Sequence, residues 1–227
     1  MTLSDFAVEG GSVIEGLIGF TLAIATILVG AWVAIVAYRG YKRSENPSTL
    51  YLAAGVALAS AGYTGTRILI PTVGGSSVLT NAVATAVQFV GLALVLYAVY
   101  GRSQRPTLHV LGGAIVGGGL VLLVPFALVA AFDASLSVAT AGGNSVTAVL
   151  GAFIGVQALR GYQRYGHQSM QWLAVGIVLL TVVPFLVLNV LTVFRSTVGV
   201  SDAGGLGLVL FIELIGVLAV LVSLKIE

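Results

Sequence analysis

The chain has 227 residues, of which 58% are hydrophobic and only 8% charged. Soluble domains carry about 25% charged residues, so water could not solvate so apolar a surface and lipid is the expected solvent. A net charge of +2 spread over short loops excludes the concentrated basic face that nucleic acid requires, and the absence of cysteine excludes disulfides, iron–sulfur clusters and thiol catalysis.

In chain order, Asp5 and Glu9 stand where a signal peptide would carry Lys or Arg, so the N-terminal stretch is expected to stay with the mature protein. Apolar segments follow over residues 13–38, 49–71, 79–100, 108–132, 137–159, 169–194 and 204–224. Each has the about 20 residues that a helix needs to cross the hydrocarbon core. Backbone in lipid must satisfy its own hydrogen bonds, so segments of this length are expected to be helical. The separators are charged or turn-rich: Arg39 to Pro47, Pro71 to Ser77, Gly101 to Pro106, Asp133 to Ser135, Arg160 to His167 and Arg195 to Gly205.

Direction follows from charge. Arg39, Lys42, Arg43, Arg102, Arg105, Arg160, Arg164 and Lys225 fall on one side of this arrangement, and only Arg67 and Arg195 toward the other, with Asp5, Glu9, Asp133 and Asp202. Lys and Arg are retained in cytoplasmic loops. Seven of the eight tyrosines, Tyr63 being the exception, lie near the basic side, as an interfacial aromatic belt would. The expected topology has the N-terminus outside and the C-terminus in the cytoplasm, in a multi-pass protein of the cell membrane.

An internal match runs through the chain. Tyr38-Arg39-Gly40-Tyr41-Lys42-Arg43, followed by Leu52-Ala53-Ala54-Gly55, aligns without a gap to Leu159-Arg160-Gly161-Tyr162-Gln163-Arg164 and Leu173-Ala174-Val175-Gly176. Gln88-Phe89-Val90-Gly91 aligns to Glu213-Leu214-Ile215-Gly216 after a four-residue insertion in the later copy. These matches predict a duplicated three-helix unit, residues 12–101 and 137–224, joined by a connector helix over 107–132. An odd connector gives both units one orientation, a parallel 3+1+3 repeat. Gly117 and Val124-Pro125-Phe126 of the connector also align to Gly176 and Val183-Pro184-Phe185. Either the connector shares the ancestral helix, or both simply carry a glycine and a kinking proline.

The Arg-Gly-Tyr-x-Arg pattern, the following Leu-Ala-x-Gly helix and the ending Leu96-Tyr97-Ala98-Val99-Tyr100 resemble an uncharacterised family of small three-helix membrane proteins from halophilic archaea. The resemblance covers residues 12–101 and, more loosely, 137–224, where Val222-Ser223-Leu224 replaces the tyrosine ending. It implies a fold and an origin but no activity. The layout is also similar to SWEET-type sugar transporters and microbial rhodopsins. The first span, however, lacks a SWEET-like proline, and the last lacks a mid-membrane lysine, since Lys225 lies at its cytoplasmic end.

Glu213 carries the sharpest signal. A carboxylate about ten residues into the last span costs roughly 2.5–3.5 kcal/mol on insertion scales, so it is expected to face protein. It is either a proton- or cation-handling group or a buried acid that joins helices. Gln88 holds the equivalent place in the first copy and is expected to make an interhelical hydrogen bond. Arg67 is expected to snorkel to the headgroups, with a reach inward to Glu213 as the alternative. Asn189 is expected to bond a neighbouring helix. Together Glu213, Gln88, Arg67 and Asn189 form the candidate binding set. Pro125 and Pro184 should kink their helices. Gly113 and Gly117, and Gly151 and Gly155, should let backbones approach closely.

His109 and His167 lie on separate loops without companion ligands. No phosphate-binding loop, zinc motif or catalytic triad is present, so neither cofactor nor metal is expected and the chain reads as non-enzymatic. Two functions remain. One is a sensor, assembly or complex-subunit module partnered by lipid, another membrane subunit or further copies of itself. The other is a small permease with a midplane site between the repeats.

Overall fold

The computed structural model describes residues 13–74, 76–100, 107–132, 136–193 and 201–226, and among them it contains helices and no strand. Seven helical rods follow in order. The first is α1, Val13–Ser44. The second runs from α2, Pro47–Ala57, through a π-helical segment, Leu58–Gly62, into α3, Tyr63–Thr72. The rest are α4, Ser77–Tyr100; α5, Thr107–Phe132; α6, Leu136–Tyr165; α7, Gln168–Val193; and α8, Asp202–Lys225.

Among the described residues, five helices are long and apolar enough to cross a membrane: Val13–Ser44, Leu79–Tyr100, Gly142–Tyr165, Gln168–Leu191 and Gly204–Lys225. The second rod is divided by its π segment, and the described apolar part of α5 is Leu108–Val124. With so many apolar helices, the chain is a membrane protein.

Two expected loops are largely helix. α1 runs on to Ser44 and α6 to Tyr165, because Lys and Arg are good helix formers and their charge suits a helix C-terminus. The turns that remain are built alike. Glu45, at φ 53°, donates its N–H to the Tyr41 carbonyl at 2.7 Å, and Gly166, at φ 70°, donates to the Tyr162 carbonyl at the same distance. Such left-handed residues close helix C-termini. The next helix then starts with Thr49 bonding the Asn46 carbonyl, or Met170 bonding the His167 carbonyl, each at 3.1 Å. Asn46 also caps α2 by accepting from the Ser48 N–H at 3.0 Å, ahead of Pro47 in the first turn.

Packing is a ring. α1 lies on α2, the second rod on α4, α4 on α6, α6 on α7, α7 on α8, and α8 closes onto α1; α5 lies outside, against α4 and α6. The face of α1 turned inward carries Gly19, Ala23, Thr26, Gly30, Val33 and Ala37, a stripe at steps of four and three. Small residues at that spacing form a close-packing seam between helices.

The matched positions pack in matched ways. A methyl group on Gly55 would lie 2.7 Å from the Gly91 carbonyl oxygen; one on Gly176 would lie 2.8 Å from that of Gly216. Gly30 approaches Ser60, and Gly151 approaches Thr181. Ser60 bonds the Val56 carbonyl at 2.6 Å, and Thr181 that of Ile177 at 2.7 Å. The central core contains the aligned pairs Val33 and Ile154, Val56 and Ile177, Ala59 and Leu180, Leu92 and Val217, and Val95 and Val220. The connector differs: Gly117 packs on the Phe89 ring and Gly118 on Val90, while Gly113 faces open space.

Candidate functional site

The middle of α7 is opened by Pro184, which has no N–H to give the carbonyl four residues back, that of Leu180. Gln88 of α4 fills this gap. Its Nε2 donates to the Leu180 carbonyl at 3.1 Å, and the side chain is buried. The expected interhelical bond is therefore present, and it ends on backbone.

The second rod is opened at the aligned level by its π segment. Tyr63, aligned with Pro184, directs its N–H to the carbonyls of Leu58 and Ser60, passing over Ala59. Glu213 of α8, aligned with Gln88, meets this rod through Arg67: Arg67 Nη1 lies 3.7 Å from Glu213 Oε1. Arg67 also donates to the Tyr63 hydroxyl at 3.3 Å and lies over its ring, 5.3 Å from the centroid. Residues 63 and 67 are one helical turn apart, which brings such side chains together.

Glu213 is 1% exposed, so it faces protein. Neither of its carboxylate oxygens forms a hydrogen bond, nor does the buried Thr64 hydroxyl. The ion pair is thus long and unsupported, in surroundings where a lost partner is costly. Arg67 is a correction to the sequence reading. Rather than snorkelling outward it turns inward, because a buried carboxylate attracts it more strongly than the headgroups it could reach.

Asn189 is a second correction. Its Nδ2 bonds the Phe185 carbonyl of its own helix at 2.7 Å, and the residue is exposed. No other helix is needed to satisfy it, and it takes no part in this site. His167 is exposed and stacks on Tyr165; His109 is exposed. Arg102, Arg105, Asp133, Arg195, Asp5 and Glu9 lie outside the described residues, as does the side chain of Pro125.

Three participants were missed by sequence reasoning. Tyr63 had a signal, as the one tyrosine outside the basic belt and one turn before Arg67. Thr85 and Asn144 had none: Thr85 of α4 donates to Asn144 Oδ1 of α6 at 2.8 Å, a third polar tie between the first three rods and the last three.

The match of a family model decides the relationship. It covers residues 20–100 and 138–225, most of the chain. The chain belongs to DUF7521, a family of unknown function. The two stretches matched to DUF7521 fall on the first three rods and the last three, leaving out α5. No curated protein and no solved structure matches the chain.

Proposed function

We propose that this DUF7521 member is a non-enzymatic module of the cell membrane, a sensor, assembly or complex subunit that works beside another membrane protein or further copies of itself. Its seven rods span the bilayer as a parallel 3+1+3 duplication, with the N-terminus outside and the C-terminus in the cytoplasm. The observation that carries this reading is the burial of the central polar side chains. Gln88 and Glu213 are 6% and 1% exposed, and each is engaged with the opposite half of the ring. A permease for polar cargo instead needs polar groups lining a water-filled path near the midplane.

The duplication is supported by the mirrored turns, glycine crossings and paired core residues. The orientation is supported by Arg39, Lys42, Arg43, Arg160, Arg164 and Lys225 at corresponding helix ends. Cysteine at Ser76 should label from outside intact cells with an impermeant thiol reagent, and cysteine at Gln163 should not; the reverse pattern would invert the topology.

A second reading, a proton-coupled permease, is favoured by the unbonded oxygens of Glu213. Proteoliposomes holding a pH-sensitive dye separate the two. Under an imposed pH gradient, the module reading expects the same proton leak as in protein-free liposomes. Sustained flux that disappears in Glu213→Gln would replace the module by the permease, with Glu213, Arg67 and Gln88 as its site.

A further inference from the structure

At the basic end of the bundle, the ends of α4, α6 and α7 line an open cavity of about 760 Å³. Arg160 and Arg164 line it from α6, and Tyr100, Gln157, Gln163 and Tyr165 bring hydroxyl and amide groups to the same space. Among the described residues the lining includes no carboxylate. Among the described residues, neither arginine forms an ion pair. Two guanidinium groups on successive turns of one helix repel each other unless an anion stands between them. Met170, also in the lining, belongs to the first turn of α7, where the helix dipole favours negative charge.

We propose that this cavity binds a phosphate-bearing anion, either the headgroup of an anionic phospholipid or soluble phosphate. The guanidinium fork matches phosphate oxygens two at a time. The tyrosines supply further donors from the level of the membrane interface, where a headgroup lies. Positive charge alone does not make the site. The first half carries the aligned pair Arg39 and Arg43, which takes no part in this cavity, and the position aligned with Tyr100 is Lys225.

That difference supplies the control. The full chain is purified in a neutral detergent and offered phosphatidylglycerol and phosphatidylcholine in equal amounts, and retained lipid is counted by native mass spectrometry. Phosphatidylglycerol should be retained over phosphatidylcholine. Arg160→Gln with Arg164→Gln should lower its affinity roughly ten-fold or more, as expected for two lost charged hydrogen-bonding groups. Arg39→Gln with Arg43→Gln should leave it unchanged. Arg160→Lys with Arg164→Lys keeps the charge and removes the fork, and should fall between them. Thermal unfolding of each variant checks the fold.

Saturable binding of radiolabelled inorganic phosphate, lost only in Arg160→Gln with Arg164→Gln, would assign the cavity to the soluble anion. Equal losses in the two glutamine variants would reduce the effect to general charge and overturn the proposal. Binding of neither probe would overturn it as well.

Discussion

The two halves of the ring solve one problem with different chemistry. In each, a helix is opened at the same level and a polar side chain from the other half meets that helix. Where Pro184 opens α7, the partner is the neutral amide of Gln88, and the carbonyl accepts a good hydrogen bond. Where the π segment opens the second rod, the partner is the carboxylate of Glu213, held only by Arg67 at 3.7 Å. The aligned counterpart of Arg67 is Leu188. Gln88 and Leu188 at one opening show that packing here does not require a charge pair. The Arg67–Glu213 pair at the other opening is therefore an addition to the fold and the better candidate for function.

The largest test separates pair from packing. Arg67→Leu leaves a buried carboxylate alone and should lower stability by about 3 kcal/mol in reversible unfolding from detergent. Arg67→Leu with Glu213→Gln gives this opening the residues of the other, and should return to within about 1 kcal/mol of the parent. A double variant as unstable as the single would mean that the halves differ in more than this pair.

Next in size are the glycine crossings. Gly55→Ala and Gly176→Ala each push a methyl group against a carbonyl oxygen. Each should cost about 2 kcal/mol, the range for overpacking. A large inequality between them would break the symmetry of the crossings.

Gln88→Leu should cost about 1–2 kcal/mol, since it strands a buried carbonyl. In a Pro184→Ala background, the substituted alanine supplies the missing N–H, and the cost of Gln88→Leu should largely vanish. An unchanged cost would show that Gln88 matters for something other than the proline gap.

The smallest effects lie in the turns. Glu45→Gly relieves a left-handed non-glycine residue and should stabilise by about 1 kcal/mol, whereas Gly166→Ala should destabilise by a similar amount. Thermal unfolding of the two variants, read side by side, checks the opposite signs.

Much of this frame was legible in the sequence because apolar length and charge spacing are strong signals. Apart from the C-terminal turns of α1 and α6, which run on into expected loops, the helix limits lie close to the expected spans, and the aligned Gln88 and Glu213 both face protein. Other features were hidden for physical reasons. The π segment Leu58-Ala59-Ser60-Ala61-Gly62 contains no proline, so nothing in it announces a break as Pro184 does. Arg67 has a side chain long enough for either direction, and only the location of Glu213 decides between them. Asn189 can satisfy itself on its own helix, so its polarity gave a false sign of a neighbour.

The contact between α1 and α8 sets a timetable for biogenesis. α1 emerges from the ribosome well before α8, the helix that closes the ring. At 5–20 residues per second, roughly 10–40 s separate the two. During that interval the flank of α1 that α8 will cover faces lipid or an insertion chaperone, while Gly30 can already meet Ser60 of the second rod, so a chain truncated before α8 leaves that flank open to quality control.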